Sequence, residues 1–142
     1  MKLFVVAAGR IREKSLRAVA DDYLGRVRHY ARCEEKEVKG AADLARAVPE
    51  GATLVVLDPR GSALTSRDFA KKLEGWGSRG KGDVAFVIGA ADGIPEELVR
   101  ASHARLSLST MTLPHRLARV FLFEQLYRAF TIQRGEPYAR ED

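Results

Sequence analysis

Two hexapeptides, TLVVLD at 53–58 and DVAFVI at 83–88, constrain this chain more than any other feature. Each is a near-continuous apolar run without the polar alternation of a strand that keeps one face wet. Strands that read this way are covered on both faces, as in parallel sheets flanked by helices. The intervening segments agree. Lys2 to Ala8 reads as a first strand ended by Gly9. Leu16, Val19, Ala20, Tyr23, Leu24 and Val27 recur at helical spacing, which predicts an amphipathic helix from Glu13 to about His29. A weak strand near Cys33 to Val38 and a short helix over AADLARAV follow, and DPRG at 58–61 reads as a turn. Thr65 and Asp68 are spaced as a capping box for a helix whose apolar face holds Phe69, Leu73 and Trp76. Pro95, Glu96 and Glu97 open another helix, and Leu106 to Leu108 forms a short strand. Alternating strands and helices predict an α/β fold: a mainly parallel sheet flanked by helices, in a single domain over 1–142.

The last helix, from Arg116 to about Arg134, is apolar on almost every side. Val120, Phe121, Leu122, Phe123, Leu126, Phe130 and Ile132 cannot all face one small sheet. Such a helix is either central to the domain or part of a subunit interface.

Composition narrows the class. The chain has 142 residues and is 46% hydrophobic, which suits one core. No apolar run approaches the ~20 residues needed to cross a bilayer. The first apolar stretch is followed by GRIREK, not by a small-residue cleavage site, so it reads as a strand and not a signal peptide. The single cysteine, Cys33, excludes an internal disulfide framework and fits a reducing cytoplasm, with packing as its role. A formal charge of +5 permits an anionic partner without demanding one, because 19 acidic residues are interspersed among the 24 basic ones.

Several motifs fail on inspection. GWGSRGKG matches the start of a P-loop at Gly75, Gly80 and Lys81, but Gly82 stands where the magnesium-binding hydroxyl belongs. It also runs from helix to strand, the reverse of a P-loop. GAADG lacks the order of a dinucleotide fingerprint. His29, His103, His115 and Cys33 have no zinc spacing, so no metal is expected. No nucleophile elbow surrounds Ser109, which argues against a Ser–His hydrolase in LSLSTMTLPHRLARVF.

What remains is a set of three loops after three buried strands: LDPRG, GAADG and STMTLPH. Ligands of open α/β sheets sit beyond the carboxyl ends of the strands. Small residues there let backbone groups reach a ligand, while Leu57, Leu108, Met111 and Leu113 supply apolar walls. That pattern suits an adenosine without phosphates; ordinary strand-to-helix turns are the alternative. A side chain at Gly89 is expected to project toward such a ligand.

On MKLFVVAAGRIREK, FVIGAADG, LSLSTMTLPHRLARVFLFEQLYRAFTI and RGEPY, the sequence resembles the RlmH (YbeA) family of SPOUT-class methyltransferases over nearly its whole length. The resemblance implies a C-terminal trefoil knot, a homodimer, and S-adenosyl-L-methionine as cofactor. It implies methylation of N3 of a pseudouridine in a 23S rRNA stem-loop, on the assembled ribosome. Cofactor contacts fall on Leu57, Gly89 and Leu108, Ser109, Thr110, Met111, Thr112 and Leu113. The tail RGEPYARED is either a frayed polar terminus or, as the resemblance implies, folds over the cofactor near a partner's site. Tyr138 and Arg140 are then the catalytic candidates, Tyr138 packing on the base or holding the tail and Arg140 offsetting the charge that develops on the base. The chain departs from the family at Ala90, where a second glycine is usual, and at Ala139, where the family has histidine after the tyrosine. Glu124 and Arg128 are four apart on the long helix and predict a structural ion pair. The rival readings are a non-enzymatic RNA- or ribosome-binding protein, or an adenosine-nucleotide enzyme of other chemistry.

Overall fold

The computed structural model describes residues 1–141, with side chains to residue 140; Asp142, the end of the tail, lies outside the described residues. The chain runs β1 (Lys2–Ala8), α1 (Lys14–Val27), β2 (Arg32–Val38), α2 (Leu44–Ala47), β3 (Thr53–Ala63), α3 (Ser66–Gly77), β4 (Asp83–Ile88), α4 (Glu96–Ala101), β5 (Ala104–Ser107) and α5 (His115–Gln133). Short 3₁₀ turns occupy Ala41–Asp43 and Pro137–Glu141. The five strands form one sheet in the order β2-β1-β4-β3-β5, and every pairing is parallel.

Alternation along each strand builds the two faces. Leu3, Val5, Ala7, Val55, Val84, Phe86 and Ile88 pack with Ala20, Leu24 and Val27 of α1, Phe69, Leu73 and Trp76 of α3, and Leu122, Phe123, Leu126 and Phe130 of α5. Phe4, Val6, Ala8, Leu54, Val56, Ala85 and Val87 pack on the other face with Leu44 of α2 and Leu98 and Val99 of α4. The apolar hexapeptides are thus covered on both faces, because one pleated strand feeds two cores. The capping reading at α3 also holds: the Thr65 hydroxyl accepts a hydrogen bond from the Asp68 backbone N–H at 3.1 Å.

One expectation is corrected. DPRG is not a turn that ends the strand but a bulge within an eleven-residue β3. Leu57 and Ser62 both pair with Leu106, so residues 58–61 loop out while the strand resumes its place beside β5. Gly61 makes this possible: a β-carbon there would lie 2.6 Å from the Arg105 carbonyl.

Helix α5 lies against α1 and α3 and buries Leu122, Phe123, Leu126, Ala129 and Phe130, while Leu117 and Phe121 stay exposed. Its largest fully buried side chain is charged. Arg119 has no solvent exposure and donates to Glu35 Oε2 at 3.0 Å, to Glu37, and to the Gly9 carbonyl at 3.0 Å. Arg17 of α1 grips the same Glu35 at 2.6 Å. This network ties the first turns of α5 to the ends of β1 and β2.

Candidate functional site

The bulge of β3 and the loops that leave the adjacent β4 and β5 enclose one cavity of about 690 Å³. Its walls come from the β3 bulge (Leu57, Asp58, Pro59, Arg60), the segment after β4 (Gly89, Ala90, Ala91, Gly93, Ile94), and the segment from β5 into α5 (Leu108, Ser109, Met111 to His115). Leu57, Gly89, Leu108, Ser109, Met111, Thr112 and Leu113 therefore converge on one space, although 57, 89 and 108 are far apart in sequence. Thr110 is the one expected contact that does not line it.

The serines of the last loop are occupied in holding its shape. Ser107 Oγ donates to the Ser109 carbonyl at 2.9 Å, and Ser109 Oγ accepts the Met111 N–H at 2.9 Å. His103 Nδ1 accepts the Leu54 N–H at 2.9 Å at the start of β3. Among the described residues no hydrogen bond joins Ser109 to a histidine, so the opening geometry of a hydrolase is missing. The loop instead offers backbone groups and an exposed Met111, 78% accessible, over an apolar floor of Ile88, Leu106 and Leu108. His115 begins α5 at the cavity wall, next to Pro114.

Gly89 works differently from the sequence expectation. A β-carbon there would meet the backbone of Gly93 at 2.7 Å and Ile94 Cγ1 at 3.0 Å, not open ligand space. Its bareness closes the 89–94 turn on itself. Ala90 fits that turn: the Gly93 N–H donates to the Ala90 carbonyl at 2.9 Å, and Gly93, not residue 90, takes the positive φ of 75°.

The sequence reading passed over Asp58 and Arg60. The signal was present as a D-x-x-G directly after a buried strand, but a turn explained it equally well. Asp58 is buried and accepts the Arg60 backbone N–H at 2.9 Å. Burial works to raise its carboxyl, but the Arg60 N–H and guanidinium outweigh it and hold the group below its ordinary range.

Within one chain, Tyr138 and Arg140 stand apart from the cavity. Tyr138 donates to Glu124 Oε2 at 2.7 Å, and its ring lies 4.5 Å from that of Tyr127. Burial and the Glu124 contact push its phenol well above the ordinary range, so Tyr138 is a hydrogen-bond donor here. Arg140 donates to the Gly135 carbonyl at 2.7 Å. The expected Glu124–Arg128 pair forms at 2.8 Å. Among the described residues, no group of three His, Cys, Asp or Glu side chains is placed to hold a metal.

A wholly parallel sheet with a cavity at the carboxyl edge of adjacent strands is the arrangement of α/β proteins that bind a ligand there. The family model described as "Predicted SPOUT methyltransferase" matches residues 1–139, and the chain belongs to that family. Among curated relatives, "Ribosomal RNA large subunit methyltransferase H" of Sorangium cellulosum (strain So ce56) is 52% identical over 145 residues, covering 98% of this chain and 99% of the relative. A solved probable methylase family protein from Haemophilus influenzae Rd KW20 superposes with a TM-score of 0.59 at 15% identity, over 96% of this chain and 69% of that one. The SpoU methyltransferase AviRb from Streptomyces viridochromogenes, solved in complex with the cofactor AdoMet, gives 0.50 at 13% identity, over 89% and 57%. Both share its fold.

Proposed function

We propose that this protein, as one domain over residues 1–142, transfers a methyl group from S-adenosyl-L-methionine to N3 of a pseudouridine in a 23S rRNA stem-loop. The reaction takes place on the assembled ribosome in the cytoplasm. The observation that carries this reading is the convergence of seven of the eight expected cofactor contacts on one cavity, in a chain of the SPOUT family.

The cavity fits the cofactor on its own terms. A volume of about 690 Å³ lies in the range of small-molecule sites, and its walls are apolar with a few polar groups. The turn at Gly89 to Gly93 presents backbone, not side chains, on one side. The loop from Leu108 to Leu113 would hold the adenosine through its backbone groups, with Leu57, Leu108, Met111 and Leu113 as the apolar walls available to the ring. When bound, S-adenosylmethionine supplies a methyl group on a sulfonium, which is already electrophilic. The protein's share is to orient the groups, exclude water and stabilise charge. The acceptor is an imide nitrogen whose proton passes to solvent water, and Arg140 would stabilise the negative charge that develops on the base. Tyr138, a donor to Glu124, holds the tail in place.

The tail's distance from its own cavity supports action as a homodimer. His115 and Ala118 line the cavity, whereas Glu124, which anchors Tyr138, is six residues beyond Ala118, roughly 9 Å along the helix. A second copy brings its tail to this cavity. The exposed Leu117 and Phe121 are the surface such a partner covers. A dimer also doubles the net charge of +5 that each chain carries, which favours an anionic partner such as RNA. The trefoil knot implied by the family is part of this reading.

The test is transfer of labelled methyl groups to ribosomes from cells lacking the modification, followed by mass spectrometry of the 23S rRNA nucleosides. N3-methylpseudouridine is expected on ribosomes and little on naked RNA. Unlabelled ribosomes contradict the function, and equal rates on free RNA contradict the substrate. A monomer by light scattering at micromolar concentration contradicts the dimer.

A further inference from the structure

Resting on the cofactor reading above, we infer that Arg60 is the anchor for the carboxylate of the cofactor's amino-acid arm, with Asp58 as the residue that positions it. Among the lining residues, Arg60 is the only lysine or arginine, and Asp58 the only carboxylate. The remaining walls are apolar or uncharged apart from the imidazole of His115. A ligand that carries an adenosine at one end and a carboxylate at the other needs a cation at one place only. A carboxylate drawn out of water needs a charged or hydrogen-bonding partner.

The local structure is built to present that cation. β3 loops out at residues 58–61, which have no register partner on β5, and resumes beside Leu106. Asp58 Oδ1 accepts the Arg60 N–H at 2.9 Å, an Asx turn that fixes the backbone of the bulge. The same carboxylate receives the guanidinium through Nε at 3.3 Å and an Nη at 3.4 Å. Those distances exceed the ~2.7–2.9 Å of a tight charge-assisted bond. The Arg60 side chain is also 70% exposed, against 7% for Asp58. With its cation exposed to solvent and its bonds long, this pair holds the guanidinium loosely. A buried carboxylate that loosely holds an exposed guanidinium restricts where the cation goes while leaving N–H groups for a second anion. Arginine's planar fork suits a carboxylate, which it can bind through two parallel bonds. Glu96 and Arg105 lie close enough to influence this pair electrostatically, so the charge around it is mixed and not a general basic patch for RNA.

The experiment compares two ligands by calorimetry on the full-length protein. S-adenosylhomocysteine carries the amino-acid arm; 5′-methylthioadenosine has the same nucleoside and thioether without it. Arg60→Ala is expected to weaken S-adenosylhomocysteine by about 10- to 100-fold, the range of a charge-assisted hydrogen bond, and to leave methylthioadenosine within about twofold. Arg60→Lys should retain part of the difference, because it keeps the charge and loses the fork. Asp58→Asn should give a smaller loss with the same ligand selectivity. Equal weakening of both ligands by Arg60→Ala overturns the inference, since the bulge then matters only for cavity shape. Unchanged S-adenosylhomocysteine affinity with a raised KM for ribosomes also overturns it, and assigns Arg60 to an RNA phosphate. Wild-type protein that binds neither ligand overturns the cofactor reading itself, and the inference with it.

Discussion

Replacing Arg119 with methionine tests how the site is held together. Methionine keeps most of the unbranched stem, so the cavity left behind is small and the loss is mainly electrostatic. Arg119 is fully buried and serves three acceptors: Glu35, Glu37 and the Gly9 carbonyl. Breaking a buried pair on one side destabilises by about 3–5 kcal/mol, because the other charge stays behind without compensation. Here Glu35 keeps Arg17 at 2.6 Å, whereas Glu37 is left with Arg17 at 3.5 Å. That favours the lower end, about 3 kcal/mol. For a chain of this length the loss lowers Tm by about 10 °C. Urea unfolding followed by circular dichroism reads the free energy directly. The loss should persist at ~1 M salt, since buried pairs are weakly screened. It should shrink by about 1 kcal/mol or more in a Glu37→Gln background, where no uncompensated carboxylate remains. A loss below about 1 kcal/mol, or one that vanishes in salt, would mean the network behaves as a surface ion pair and does not fasten α5 to β1.

Other expectations follow from the site and the core. Removing residues 138–142 should leave S-adenosylhomocysteine affinity within about twofold while methyl transfer falls by orders of magnitude; transfer at the full rate would reduce the tail to a frayed end. Arg140→Ala alone should lower kcat by about 100-fold if it stabilises transition-state charge, and kcat unchanged on ribosomes would remove it from catalysis. Gly89→Val should weaken cofactor binding by displacing the Gly93 backbone, visible as altered Gly93 and Ile94 amide shifts by NMR; unperturbed shifts would contradict the 2.7 Å approach. Cys33 is pushed up to about 12 by burial, so native protein should resist iodoacetamide at pH 8 and react once unfolded in urea. Because the folded thiol titrates above the unfolded one, its contribution to stability is complete below about pH 9 and is lost between there and about 12; denaturation midpoints that rise over that window would reverse the sign.

Periodicity made most of the fold legible. The runs 54–57 and 84–88 are apolar at every position because each strand has a core on both faces, and α3 announces itself through Thr65 and an apolar stripe of Phe69, Leu73 and Trp76. The three strand-end loops were also visible as the place for a ligand, since the parallel topology brings them to one edge. Three things required the tertiary structure. DPRG has the composition of a turn, and only the pairing of both Leu57 and Ser62 with Leu106 makes it a bulge that carries Asp58 and Arg60 to the cavity wall. Gly89 looks like a gap left for a ligand, but whether a missing β-carbon faces ligand or backbone depends on how residues 89–94 fold back. Arg119 is one of three arginines on α5, and nothing local separates it from Arg116 or Arg128. Its burial is decided by Glu35 and Glu37, which sit on β2, more than eighty residues away. Local spacing carries the information for helix faces and strand alternation, because these arise from backbone geometry within a few residues. Close approaches and buried charges depend on which distant segments the packed sheet and helices bring together.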